Sequence, residues 1–181
     1  MDAAGYGVIE IGGGGQKVAL IEAGLIHTKS GQPLPERLAA IAREFQALLL
    51  QHRPDGMAVE DLYSYYKTPE PAILMGHVRG VILSTAALAK IPVTSYLPTR
   101  VKKAVVGRGH AGKEQVARMV RMRLCLSDGK VPADVSDALA VALCHADGLR
   151  NGEFGAAARA RSSRSNRGFF SSQRFVKGAR K

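Results

Sequence analysis

Cysteine is scarce in this chain, and acid is much scarcer than base. Cys125 and Cys144 are the only two cysteines in 181 residues. They lack metal-ligand spacing, sit in apolar helical surroundings, and read as core thiols of a reducing compartment, which argues against a disulfide framework. No apolar run approaches membrane-spanning length, and the first residues do not resemble a signal peptide. The expectation is a cytoplasmic protein without a membrane partner. His27, His52 and His77 have no acid or cysteine at ligand spacing, and His145 lies too far along its helix from the nearest acid to share a metal with it. A zinc site is therefore not supported.

Acids number 15 against 26 Lys and Arg, for a net charge of +11. That excess points to nucleic acid, although charge alone suits an acidic membrane surface equally well. The imbalance is greatest at the end of the chain. Phe154 to Lys181 holds six arginines, two lysines and no acid. Rich in Ala, Ser and Gly, this stretch cannot bury enough apolar surface to fold alone, so residues 151–181 read as a basic, disordered tail. Non-specific DNA affinity is its functional reading and solubility the plainer one. The remaining 1–150 suit one domain with a real core.

What is there is organised around Val131 to Ala146, V-P-A-D-V-S-D-A-L-A-V-A-L-C-H-A. Asp134 and Asp137 are three residues apart and share one helix face. The rest is apolar all round and should be buried. Taken alone, the two acids would cap the helix or favour the positive end of its dipole. A third acid changes the weighting. Gly56-Met-Ala-Val-Glu60 reads as a buried strand ending in a carboxylate, and open α/β sheets place their sites at such strand ends. Three converging carboxylates repel unless they hold hard cations such as Mg²⁺.

Elsewhere the chain alternates strand and helix patterns. Gly5–Ile11 and Lys17–Thr28 are strand-like, and the glycines from Gly12 to Gly15 between them suit a hairpin turn better than a phosphate cradle. Leu34, Leu38, Ile41, Phe45 and Leu49 recur at helical spacing after Pro33 and Pro35. Pro69 to Lys90 reads as a long helix in which Gly76 and Gly80 suit a close helix contact. Ile91–Tyr96 reads as a strand and Lys113–Leu126 as a helix. Tyr63, Tyr65, Tyr66 and Lys67, just past Glu60, suit bases and phosphates, or else pack within their own loop. Lys102, Lys103, Arg108, His110 and Lys113 form a cationic stretch that composition alone would assign to a solvated surface.

The ordered motifs A-V-E-D-L-Y, G-H-V-R-G-V, T-R-V-K-K-A-V-V-G, K-E-Q-V-A-R-M-V and A-D-V-S-D-A-L-A-V-A resemble the RuvC family of bacterial Holliday-junction resolvases, from about Gly5 to His145. The resemblance implies a ribonuclease-H-like α/β fold, a mixed sheet flanked by helices on both faces. It implies a Mg²⁺-dependent endonuclease (with Mn²⁺ as a substitute) that nicks four-way DNA junctions symmetrically in recombination and repair. Two ions about 4 Å apart would be held by Glu60, Asp134 and Asp137. Tyr63 would help hold the opened junction, and Lys102, Lys103 and Lys113 would contact DNA. A homodimer working with the RuvA and RuvB branch-migration proteins is implied as well.

One departure stands out. The family begins with an apolar strand ending in Asp, then a short turn, then T-G-Y-G-V-I. Here Gly5-Tyr6-Gly7-Val8-Ile9 matches the end of that pattern, and only four residues precede it. Asp2 sits too close to Gly5 to be the family's acid. The expectation is a fold with its first, central strand missing. Met1 would then be internal to a longer protein, whose upstream codons supply the strand and aspartate, and the 181-residue form would be poorly stable and inactive. The alternative is a junction-binding protein that no longer cuts.

Overall fold

The computed structural model describes residues 3–12, 17–29, 31–62, 69–127, 129, 131–153 and 166–172. Ten elements follow in order: β1 (Ala3–Ile11), β2 (Val18–His27), α1 (Leu34–His52), β3 (Gly56–Glu60), α2 (Pro69–Leu88), β4 (Val93–Tyr96), α3 (Pro98–Val106), α4 (Lys113–Arg123), α5 (Ala133–Arg150) and β5 (Asn166–Ser172). The strands form one sheet in the order β2-β1-β5-β3-β4. β1 and β2 pair antiparallel as the expected hairpin, with the Gly12 N–H donating to the Lys17 carbonyl at 2.8 Å. β3 and β4 pair parallel, which sets Glu60 level with Tyr96.

The alternation of side chains along each strand divides the core between two faces. On one face Ile9, Ile11, Ala58 and Tyr96 meet α3, α4 and α5. On the other Val8, Ile26, Met57 and Val59 meet α1 and α2. The sheet is thus mixed and covered on both sides, as the α/β reading requires. Helix α5 is buried almost all round, from Val135 through Ala146, as its composition dictates.

Four expectations need correction. The tail is not structureless throughout: residues 166–172 form β5, in the middle of the sheet, so the folded unit does not end at residue 150. The start of the cationic stretch after β4 is not wholly a solvated surface, because Pro98–Val106 form α3, which buries Val101 and Val105 and is closed by Gly107 at φ 82°. Cys144 is a buried thiol but Cys125 is exposed, just past α4 at φ 51°. And one helix does reach membrane-spanning length: Pro71–Leu88 has a mean hydropathy of 1.4 over 18 residues. Within this fold α2 is nonetheless a packing helix, since Met75, Val78, Ile82 and Ala86 are buried along one face. Its other side leaves Ile73 and Leu88 exposed, at 58% and 85%.

Two polar networks tie the layers together. Glu22 on β2 accepts from the Tyr6 hydroxyl at 2.6 Å and pairs with His52 at 3.0 Å. The Tyr6 bond holds the Glu22 carboxyl below its ordinary range. Between β4 and α5, Tyr96 Oη and His145 Nδ1 are hydrogen-bonded at 2.8 Å, and burial pushes the imidazole from 6.5 down to about 4. The unfolded chain takes up this proton near the ordinary value and the folded protein only near the lowered one. Stability should therefore fall as pH drops through that interval, by about 3 kcal/mol in all. Urea midpoints across the window should show a shallower acid slope in His145→Gln than in the parent. Equal slopes would remove His145 as the cause.

Candidate active site

Position in the sheet brings the predicted acids to one end of it. Glu60 closes β3, and the carbonyl, carboxylate and hydroxyl groups around it converge on Arg79 of α2. That guanidinium donates to the Glu60 carbonyl at 2.6 Å, to Asp61 Oδ1 at 2.8 Å and to Ser95 Oγ at 2.7 Å. The Asp61 N–H donates to the Tyr96 carbonyl at 2.8 Å, extending the β3–β4 ladder one residue past Glu60. The strand end carrying the carboxylate is therefore fixed from two sides.

Asp134 and Asp137 arrive on α5 from the opposite side of the sheet's centre. Helix α5 starts directly against β1: a Cβ built on Gly5 would lie 2.1 Å from the Asp134 carbonyl oxygen. Only glycine permits that approach. β1 runs antiparallel to β5 and β3 runs parallel to it, so the Gly5 end of β1 and the Glu60 end of β3 lie at the same edge. Asp134 is buried at 6% exposure and Asp137 is half-buried. The N-cap position belongs to Pro132, whose side chain cannot cap, and Asp134 lies in the first turn.

The donor chemistry suits a hard cation, since all three groups are carboxylates. Two of their oxygens, Asp134 Oδ1 and Asp137 Oδ2, are withdrawn from solvent. The arrangement is nevertheless open. Among the described residues no three acid, histidine or cysteine side chains come close enough together to hold one metal ion. The expected closed set of Glu60, Asp134 and Asp137 around two ions is thus not assembled. Strand spacing supplies the reason: Gly5 and Glu60 stand two strands apart, about 10 Å.

The basic residues are more dispersed. Lys102 is half-buried on α3 and Lys113 is exposed at the start of α4. Lys103 lines a cleft of about 460 Å³ with Arg100, Cys144, Asp147 and Glu153, beside the C-terminal half of α5. The acids sit at the other end of that helix, about 20 Å away along its axis. Tyr63 lies outside the described residues, as do Tyr65, Tyr66 and Lys67.

Sequence reading missed Arg79, although a signal was present: it is a lone arginine in the middle of an apolar helix, where charges rarely go unpaired. Removing it takes away the guanidinium that the Glu60 carbonyl and the Asp61 carboxylate share. Arg79→Ala should cost about 2 kcal/mol of stability and loosen the Glu60 end of β3. Arg79→Lys should recover only part of this, because an ammonium cannot reproduce the planar fork. Thermal melts of the two variants check the ranking, and equal melts would show that the fork geometry is irrelevant.

A mixed sheet with helices on both faces and carboxylates gathered at one strand edge places the protein in the ribonuclease-H-like class of α/β nucleases. The comparisons narrow the class. Residues 1–145 match the family model described as crossover junction endodeoxyribonuclease RuvC. The chain is 45% identical over 144 residues to the protein of that name from Rhodopirellula baltica, covering 80% of each. It is 44% identical over 142 residues to the one from Pelotomaculum thermopropionicum, covering 78% of this chain and 85% of the relative. The solved structure of Thermus thermophilus RuvC with a Holliday junction substrate superposes with a TM-score of 0.77 at 37% identity, covering 83% of this chain and 90% of that one. The structure described as Thermus thermophilus RuvC gives 0.74 at 38% identity, covering 82% and 89%. This chain belongs to the RuvC family of crossover junction endodeoxyribonucleases.

Proposed function

We infer that this protein acts on four-way DNA junctions as a metal-dependent endonuclease, nicking them symmetrically, and that Glu60, Asp134 and Asp137 are its acidic residues. The observation that carries this is their arrival from two separate elements, β3 and α5, at one end of a sheet whose fold is that of junction-bound RuvC. Mg²⁺, with Mn²⁺ as a substitute, is the ion their oxygen donors suit. Lys102 and Lys113 are the residues to which we assign phosphate contacts, with Lys103 contributing to the wider basic surface, and we assign Tyr63 to the opened junction. A net charge of +11 supports DNA as the partner.

Dimerisation would follow from α2. Its outer side carries Ile73 and Leu88, and among the described residues no atom from outside its own helical turn lies within 4 Å of a Cβ placed on Gly76 or Gly80. A second copy packing there would supply two sites related by a two-fold axis, matching paired cuts. RuvA and RuvB are the expected collaborators, and a cytoplasmic location fits them. One folded nuclease domain, residues 1–150 with the strand 166–172 joined to its sheet, carries these features.

A second reading has a specific observation behind it: the acids do not close into a metal-holding group. That favours a junction-binding protein without cleavage. Titrating Mg²⁺ and Mn²⁺ against an end-labelled four-way junction separates the two. Paired nicks that appear with metal support the nuclease, while tight binding without nicks at any metal concentration supports the binder.

A further inference from the structure

Helix α2 reaches the Glu60 end of the sheet through one side chain. Arg79 lies on its inner side, one turn from Met75 and from Ile82, both of which are buried. The Arg79 side chain is largely enclosed, at 15% exposure, and its three acceptors come from two neighbouring strands. They are the Glu60 carbonyl and Asp61 Oδ1 at the end of β3, and Ser95 Oγ on β4. An arginine paired with one surface carboxylate can swing in water. A planar fork bonded to three fixed acceptors has a single geometry.

The alternation along β3 gives this contact a consequence for Glu60. Ala58 packs on the face covered by α3, α4 and α5, whereas Met57 and Val59 pack on the face covered by α1 and α2. Side chains two apart share a face. Glu60 therefore follows Ala58 toward α5, and Asp61 follows Val59 toward α2. The Asp61 N–H still donates to the Tyr96 carbonyl at 2.8 Å, so the strand's order holds through residue 61, and the Asp61 carboxylate does meet a group of α2, Arg79. Two acids thus stand side by side at this strand end. Only one can face the helix that carries Asp134 and Asp137. Both are polar, so burial of apolar surface does not tell one face from the other there. A twist of one residue would exchange them.

We propose that Arg79 is a positioning residue for the nuclease site: by holding Asp61 and the Glu60 carbonyl, it commits the Glu60 carboxylate to the α5 side, with Asp61 as its anchor rather than a metal ligand. Ser95 completes the clamp by tying the same guanidinium to β4. That Glu60 serves a metal rests on the reading above; the clamp itself does not.

Isothermal titration of the full chain with Mn²⁺, together with hydrogen exchange, tests both parts. Arg79→Ala should bind Mn²⁺ about tenfold or more weakly than the parent, as loss of an outer partner of a ligand does. Arg79→Lys should fall between the two, and it carries the comparison if Arg79→Ala does not fold. Asp61→Asn should weaken binding less, and adding it to Arg79→Ala should cost nothing further, because both act through one clamp. Val78→Ala, which removes buried atoms from the same helix, should lower Tm and leave Mn²⁺ affinity as in the parent. Arg79 variants that melt lower yet bind Mn²⁺ like the parent, while Glu60→Gln does not, would reduce Arg79 to a structural residue and overturn the proposal. Losses that multiply in the double variant would make Asp61 a ligand and overturn its role as anchor. If Glu60→Gln itself leaves Mn²⁺ affinity unchanged, the metal-dependent reading fails, and exchange of the Asp61 amide decides the clamp. That amide should exchange about tenfold faster in Arg79→Ala than in Val78→Ala; equal rates would overturn the clamp too.

Discussion

Metal-supported nicking of a labelled junction should fall at least about a hundredfold in Glu60→Gln and in Asp137→Asn, a larger loss than removing an outer partner of a ligand gives. Each substitution exchanges a carboxylate for an amide of nearly the same shape, so the fold should be spared. Glu60 is half-buried at the end of β3, where Arg79 holds its backbone carbonyl, a contact that the substitution leaves in place. Asp137 is likewise half-buried, in the second turn of α5. Neither change removes an apolar core atom. Junction affinity measured without metal should persist or tighten, because an anion facing the phosphates has gone. Single-turnover assays with enzyme in excess report the rate, and gel-shift titrations report the affinity. Near-parental nicking by either variant would remove that residue from the site.

How far this arrangement could be read beforehand differs from element to element. β3 was legible to the residue, Gly56–Glu60, because a turn of Pro54, Asp55 and Gly56 marks its start and its apolar run is short and unbroken. α5 was legible because few sequences are apolar around a whole helix and still open on two acids. These local signals were enough to bring Glu60, Asp134 and Asp137 together as candidates. α3 was obscured: its two buried residues, Val101 and Val105, make a single helical repeat, and the lysines around them read as a solvated surface. Arg79 was quoted within a motif, but its three acceptors come from β3, the residue after it and β4, a convergence that exists only once the sheet is formed.

β5 was the least legible, for a physical reason. Asn166–Ser172 has no alternating pattern, sits in a basic low-complexity stretch, and pairs with residues more than a hundred positions away. Its strand character comes from the two ladders it joins rather than from its own propensity. The resemblance led only to the expectation that β1 and β3 flank a further strand. It did not show that the chain's far end lies there.

Gly5→Ala should be the most damaging alanine substitution among the described glycines. The new Cβ would lie 2.1 Å from the Asp134 carbonyl oxygen, 2.4 Å from its carbonyl carbon and 2.9 Å from the Val135 nitrogen. All three are backbone atoms, so no rotamer change relieves the overlap. Either β1 or the start of α5 must move, and both are committed: β1 is paired on both edges, and Ala138, Leu139 and Leu143 of α5 are fully buried. Overpacking of this kind costs about 3 kcal/mol, which for a domain of this size lowers Tm by roughly 10 °C. Gly7→Ala supplies the comparison. Its Cβ would meet Leu139 Cδ2 at 2.6 Å, the far end of a side chain that can turn away, so about 1 kcal/mol is expected. The two variants also differ in function. Moving the first turn of α5 carries Asp134 and Asp137 away from Glu60, so Gly5→Ala should lose Mn²⁺ affinity as well as stability, whereas Gly7→Ala should lose stability alone. Thermal melts and metal titrations of both decide the matter. If Gly5→Ala is no less stable than Gly7→Ala and binds Mn²⁺ as the parent does, α5 does not rest on β1 at Gly5, and the convergence of the three acids loses its structural basis.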